Sequence, residues 1–252
     1  MEKGTKERYS PVRQMTDAQR IRAVKEIFST VTGRYDFLNH FLSFRRDIVW
    51  RRCAVRKMRF FRTYRLLDVA TGTADLAIEA ARNYPTIHVT GLDFVQVMMN
   101  RGVIKIAERG LGGRIHLLAG DALDLPFPDH CFDSVAIAFG IRNIPDKHRV
   151  LQEMKRVTVP GGQVMVLEMT SPRGSVLQGF YRLYLHRILP TIARVFSRNP
   201  AAYEYLADSI VNFPSPGAFG KMMEEAGLAR VEKYSLDFGI TYLHTGVNPD
   251  AD

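Results

Sequence analysis

The segment from Arg65 to Asp75, RLLDVATGTAD, constrains this chain more than any other. Leu66, Leu67 and Val69 read as a short apolar strand, Ala70 to Ala74 as a tight turn of small residues, and DLAIEAAR as the helix that follows. Small side chains leave the backbone of the turn open to a ligand, and the helix N-terminus beyond it offers unpaired N–H groups and a positive dipole end. Strand, turn and helix in this order make the first unit of an α/β sheet and also a ligand cradle.

The acid at the strand end selects among ligands. A dinucleotide fold places G-x-G-x-x-G here to seat a pyrophosphate, whereas Gly72 is the one glycine of this turn and Asp68 would repel a diphosphate. Asp68 suits a cationic ligand that carries an amino acid, such as S-adenosyl-L-methionine, whose sulfonium and ammonium groups are both positive. Asp93 closes the next apolar run, HVTGLD, about 20 residues past the turn, the separation at which a βαβ unit sets a carboxylate against a ribose diol. A helix-capping Asp and an ordinary turn glycine are the bland alternative; Asp93 in register favours the nucleoside.

The alternation continues. Gln96–Arg109 reads as a helix, RIHLLAG as a strand that leads to Asp121 and Ala122, SVAIAFG as the next strand, Asp146–Thr158 as a helix, Pro160–Gly162 as a PGG turn, and QVMVLEM as a strand. Strand alternating with helix predicts a doubly wound, mostly parallel sheet with its ligand across the carboxyl ends of the strands, where Asp68, Asp93 and Asp121 converge. After Glu168 the rhythm breaks. An apolar, aromatic stretch to Phe213 reads as a helical insert and a lid, or else as ordinary core; a last helix ended by Gly227 and the runs RVEKYSL and ITYLHTG read as a closing antiparallel hairpin.

Ahead of the sheet, residues 1–14 read as a loose arm, and Ile21, Val24, Ile27, Phe28 and Val31 give an amphipathic helix that Thr32 and Gly33 end. From Arg45 to Arg65, nine basic residues stand against the single acid Asp47 and alternate with Phe44, Ile48, Trp50, Val55, Met58, Phe60 and Phe61. This is the pattern of a helix on an anionic membrane surface, or of a solvated helix whose apolar side packs on the domain. Nucleic acid ranks below both, because no recognised motif accompanies the charge.

With 252 residues, 46% of them hydrophobic, the chain can bury the core of one α/β domain with an extension, and a net charge of +9 draws it to anionic surfaces. The expected organisation is a helical extension over 1–64, a cofactor-binding core over 65–170, a helical substrate insert over 171–213 and a closing helix and hairpin over 214–246. Cys53 and Cys131 form no CxxC and no Cys/His cluster, so neither a disulfide framework nor a metal site is expected. The polar N-terminus and the absence of an apolar run of roughly 20 residues lead to an expectation of a cytoplasmic protein, peripheral at most to the inner membrane face.

Together these motifs resemble the class I S-adenosylmethionine methyltransferases, specifically the quinone-ring C-methyltransferases of menaquinone and ubiquinone biosynthesis. RYDFLNHFLSF with Trp50, LLDVATGTADLA, FGIRNIPDK and RVTVPGGQVMVLEMTSP carry the likeness, which runs from about Ile27 to about Gly246. The chain departs from the pattern at Leu38 (usually Met), Asp47 (usually His), Ala74 (usually Gly) and Val159 (usually Lys), and at Ala138, often Ser near the cofactor. The resemblance implies a Rossmann-like fold, Thr71 and the loop around Gly72 at the methionine part, Asp93 at the ribose and the Asp121–Ala122 pair at the adenine. It also implies a polyprenyl quinol acceptor; a homodimer is compatible with it, though no pattern specifies one.

Methylation of a ring carbon needs alignment of two reactants and electron density on the carbon, which a quinol gains when a hydroxyl loses its proton. FGIRN stands where amino-directed methyltransferases often carry an Asn-Pro-Pro-Tyr segment. Arg142 and Asn143 are therefore expected to hold and polarise the ring oxygens. Alternatively, Arg142 pairs with an acid and Asn143 caps a helix. Candidate bases are His186, Tyr203 or a water at Arg142. A methyltransferase for another small or lipid-like acceptor, and a basic RNA-binding protein without catalysis, are the competing readings.

Overall fold

The computed structural model describes residues 15–31, 40, 43–171, 179, 181, 183, 187 and 201–249. The arm 1–14, the helix-ending Thr32 and Gly33, and His186 lie outside them. Four parallel strands follow from the apolar runs: β1 (Arg65–Val69), β2 (His88–Asp93), β3 (Ile115–Ala119) and β4 (Phe132–Ala138). A fifth, β5 (Thr158–Met169), pairs parallel to β4, while β6 (Ala229–Leu236) and β7 (Thr241–Val247) form the antiparallel closing hairpin. The sheet order is β3-β2-β1-β4-β5-β7-β6. The chain winds outward from β1 to β3 and restarts at β4 on the other side of β1, so a crevice opens at the carboxyl ends of β1 and β4.

Successive β1 residues face opposite layers. Leu66 packs with Trp50, Ala77, Ala80 and Met165, while Leu67 packs with Val135, Leu151, Met154 and Phe219. The first layer holds helices α2 (Arg46–Val55), α3 (Asp75–Asn83) and α4 (Gln96–Glu108); the second holds α5 (Lys147–Val157) and, after α6 (Ala201–Val211), the final helix α7 (Pro216–Glu225). α5 begins where the Asp146 side chain accepts the Arg149 N–H, and α7 where Ser215 accepts that of Ala218, both Asx/Ser caps.

Helix α1 (Asp17–Val31) and α6 join one apolar cluster through Val24, Ile27, Tyr205, Ala207 and Ile210, to which Tyr181 of the insert also belongs. The apolar stripe read from the sequence thus has a partner. In the basic segment, Trp50, Ala54, Val55 and Met58 are buried against the sheet, so the domain-packing alternative describes α2. Its C-terminal loop is gripped by Asp133, whose buried carboxylate accepts the backbone N–H groups of Phe61, Arg62, Thr63 and Tyr64 at 2.7–3.2 Å.

One expectation is corrected. PGG is not a turn ahead of the strand; it lies inside β5. Phe132 pairs with Thr158 and Ser134 with Gln163, so the segment between bulges out of the ladder. Gly161 takes φ +75° there and its N–H donates to the Asn248 carbonyl, the Asn248 N–H donates to the Gly162 carbonyl, and any Cβ at Gly162 would lie 2.8 Å from the Asp133 carbonyl oxygen. A glycine pair serves a bulge as well as a turn, which is why the sequence alone misplaces it.

Candidate functional site

The crevice, about 280 Å3, is lined by the ends of β1 to β4 below and by Ile21, Val24, Lys25 and Phe28 of α1 above. Asp68, Thr71, Gly72, Asp93, Asp121 and Ala122 all line it. The turn after β1 is built from alternate left-handed residues, Ala70 (φ +53°), Gly72 (φ +57°) and Ala74 (φ +65°). Gly72 is favoured by this backbone rather than by space, since a Cβ there would touch only Met98 at 3.6 Å. Ala74, where glycine is usual in the resembled family, fits sterically and bears the cost in conformation, about 1 kcal/mol for a left-handed alanine.

Asp68 is buried at the end of β1 and accepts a 2.6 Å hydrogen bond from the Thr71 hydroxyl. Gly91, its register partner on β2, leaves room for Thr71: an added Cβ would sit 2.8 Å from the Thr71 Oγ1. Burial pushes the Asp68 carboxyl up to about 7, against the pull of Thr71, Arg51 and the Ala77 N–H. Asp93 accepts the N–H of Gly72 on Oδ2 and that of Val95 on Oδ1, each at 2.8 Å, so the carboxylate is clamped across the turn. Burial raises its pKa, partly offset by those N–H groups. Asp121 spends Oδ1 on the Leu123 N–H at 2.9 Å, ordering the short turn after β3.

At the end of β4 the chain passes through Phe139 (φ +59°) into a single 3-10 turn, Ile141–Asn143. Arg142 faces inward: its Nη1 donates to Glu168 Oε1 at 2.6 Å and to the Phe139 carbonyl at 2.7 Å, and its N–H donates to Glu168 Oε2 at 3.1 Å. The acid-pairing alternative is thus realised for Arg142, and its side chain is not among the lining groups. Asn143 is. Its side chain caps no helix, and its Oδ1 is buried without a hydrogen-bond partner, an unmet acceptor at the crevice wall.

Two sequence candidates lie outside what the structure describes. Tyr203 belongs to α6, but its side chain lies outside the described residues, as does His186. Among the described residues of α6, Tyr205 is buried beside Arg20 and Arg142. Sequence reasoning also missed Arg20, whose guanidinium donates to the Arg142 carbonyl, and Arg51, Lys25 and Phe28 of the crevice wall. The signal for Arg51 was present: the only acid of its basic run, Asp47, stands four residues earlier.

The donor set fits S-adenosylmethionine: two buried acids for an ammonium and a diol, an open turn, and apolar walls for an adenine. A model of the ubiE/COQ5 methyltransferase family matches residues 14–248. The chain belongs to that family. Its relatives include the ubiquinone/menaquinone biosynthesis C-methyltransferase UbiE of Geotalea daltonii, 43% identical over 88% of this chain and 95% of that one. A demethylmenaquinone methyltransferase of Thermus thermophilus is 42% identical over 88% of this chain and all of its own length. Among solved structures, an S-adenosylmethionine-dependent methyltransferase from Aquifex aeolicus aligns with a TM-score of 0.56 at 17% identity, covering 78% of this chain and 88% of its own. Phosphoethanolamine N-methyltransferase 2 of Haemonchus contortus, in complex with S-adenosyl-L-methionine, aligns at 0.60 and 15% identity over 79% of this chain and 52% of its own. The last two share the fold. As a family member the chain is an S-adenosylmethionine-dependent C-methyltransferase, and S-adenosylmethionine is its cofactor.

Proposed function

We propose that this methyltransferase alkylates a ring carbon of a polyprenylated quinol, converting demethylmenaquinol to menaquinol or serving the equivalent step of ubiquinone synthesis. The observation that carries the reading is Asn143. It lines the crevice, and its amide oxygen, buried and without a hydrogen-bond partner in the ligand-free protein, would take a ring hydroxyl as donor once a turn of the side chain brings it to the crevice.

When bound, S-adenosylmethionine supplies an electrophilic sulfonium methyl. The chain does the rest. Asp93 and the N–H-lined turn hold the ribose, Asp121 and Ala122 border the adenine, and Thr71 with Asp68 receives the amino-acid part. Asn143 orients the ring. Arg142, fixed by Glu168, holds the 3-10 turn that carries Asn143 in place. Helix α1, which lines the crevice and is backed by α6, excludes water from the two reactants.

The same reading sets the crevice end of the molecule against an anionic lipid surface, where a polyprenyl tail resides. Phe44 and Phe238 are 79% and 88% exposed and occupy left-handed backbone. Their loops are joined by the Arg46–Asp237 ion pair and by the Trp50 Nε1–H donating to Asp237 at 2.7 Å, with Arg45 alongside. Exposed aromatic tips beside arginines suit the lipid interface.

The test is methyl transfer from labelled S-adenosylmethionine to chemically reduced, short-tailed demethylmenaquinol, beside the demethylated benzoquinol and an RNA control. Label in either quinol supports the proposal. Label in neither, with cofactor still bound, sends the enzyme to a different acceptor.

A further inference from the structure

The sheet order fixes how a nucleoside joined to an amino acid must lie. Asp121, Asp93 and Asp68 end β3, β2 and β1, which are neighbours in that order. With the ribose at Asp93 and the adenine toward Asp121, the amino-acid portion runs over β1 toward β4. Its end is a zwitterion. Asp68 meets the ammonium, and the carboxylate beside it needs a cation, because an unpaired anion in a half-enclosed crevice is costly to desolvate.

Two cations line the crevice among the described residues, Lys25 and Arg51. Lys25 stands at the nucleoside end, its Nζ 5.4 Å from the centroid of Phe94, the residue after Asp93. Arg51 stands at the other end. Its guanidinium carbon lies 5.1 Å from the ring centroid of Phe139, at the end of β4, and it is close enough to draw the Asp68 carboxyl toward ionisation. It is also held. Arg51 Nη1 donates to Asp47 Oδ2 at 2.6 Å, one turn earlier on α2, and Asp47 is itself fixed by the Ser43 hydroxyl at 2.7 Å and the His40 Nδ1 at 2.8 Å. Although burial pushes Asp47 up, Arg51, Ser43 and His40 together keep its pKa below the usual range, so the anchor is ionised. A guanidinium carries five N–H donors in a planar fork and can bridge two carboxylates, one on each side.

We propose that Arg51, anchored by Asp47, is the subsite for the carboxylate of the cofactor's amino-acid portion. The inference rests on the S-adenosylmethionine reading of the crevice and adds to it a residue supplied by the N-terminal extension. Asp47 replaces a histidine usual in the resembled pattern, so this chain holds its arginine through an ion pair of its own.

The experiment is calorimetric titration of the full chain with S-adenosylhomocysteine and with 5′-methylthioadenosine, which keeps the nucleoside and sulfur and lacks the amino acid. In Arg51→Met the affinity for S-adenosylhomocysteine should fall about 10- to 100-fold, the scale of one charge-assisted contact. Affinity for methylthioadenosine should stay within about twofold, and Arg51→Lys should recover most of the lost affinity for the first ligand. Unchanged S-adenosylhomocysteine binding in Arg51→Met overturns the assignment. Parallel loss of both ligands also overturns it, making Arg51 a brace for the whole crevice. Wild-type protein that binds neither ligand would fail the cofactor reading itself, a separate outcome.

Discussion

Arg142 and Glu168 form a buried ion pair, 2.6 Å between Nη1 and Oε1, that joins the end of β4 to the end of β5. Both side chains are nearly inaccessible, at 6% and 1% exposure, so the pair is intolerant of losing one member. Removing a single partner from such a pair costs about 3–5 kcal/mol, because the other charge is stranded. Arg142→Ala should therefore lower stability to denaturant on that scale and reduce turnover far more than S-adenosylhomocysteine affinity. The double variant Arg142→Met/Glu168→Gln should regain most of the stability without regaining turnover. Equal turnover in wild type and Arg142→Ala would remove the residue from the reaction.

Variants at Asn143 should separate acceptor binding from cofactor binding. Asn143→Leu keeps the branched outline with somewhat more bulk and removes the unmet acceptor, so the folded enzyme should stay within about 1 kcal/mol of wild type. Its kcat on quinol should drop by about tenfold or more, the weight of one hydrogen bond to a reacting oxygen. Cofactor affinity should be unchanged; a matching loss of cofactor binding would place Asn143 with the methionine instead.

Asp68 makes cofactor binding depend on pH. With its carboxyl pushed up to about 7, half the ligand-free molecules carry a proton there near neutrality. A cationic ammonium prefers the ionised form, so S-adenosylhomocysteine affinity should rise as pH climbs from 6 to 8 and flatten above, while Asp68→Asn shows no such step. Stability runs the other way. The fold holds this proton more tightly than the unfolded chain does, so the contribution is complete below about pH 4 and is lost as pH rises through about 7. Over that interval the ligand-free wild type should lose on the order of 4 kcal/mol relative to Asp68→Asn, read as a pH-dependent gap in melting temperature.

Asp93 is tested through the ligand as well as the protein. Asp93→Asn should weaken S-adenosylhomocysteine about 10- to 100-fold, and should weaken its 2′-deoxy analogue less, because that contact is already missing. Equal losses for both would mean that Asp93 serves only to clamp the Gly72 and Val95 N–H groups.

Phe44→Ser/Phe238→Ser should reduce flotation with vesicles rich in anionic lipid by several-fold while leaving activity on a detergent-dispersed, short-tailed quinol intact. Binding by wild type should weaken with salt, since exposed arginines contribute to it. Wild-type protein that fails to float at low salt would end the lipid-surface reading.

The sheet was legible because buried parallel strands read as unbroken apolar runs and the helices between them repeat at 3.6 residues. The acids were legible because Asp68, Asp93 and Asp121 mark strand ends at regular spacing. Other features depend on contacts that no local pattern encodes. Glu168 is 26 residues from Arg142 and meets it only because β5 lies beside β4. Arg51 could be singled out from its run by Asp47 four residues earlier, but the meeting of its guanidinium with Phe139 depends on the fold. Tyr205 is buried beside Arg20 and Arg142 because α6 packs on α1, a contact between segments far apart in sequence. PGG satisfies a bulge and a turn equally well until Asn248 is seen to close it.

The grip of Asp133 on the loop before β1 bears on how this protein could be divided. A cut at residue 64, where the helical extension gives way to the first strand, would remove the four N–H groups that neutralise a fully buried carboxylate at the foot of β4. It would also take Trp50 and Val55 out of the central layer. The boundary between extension and core is a boundary of sequence rhythm only; in solution the two should melt in one transition, and a chimera that exchanges substrate-facing parts would need to carry both across together.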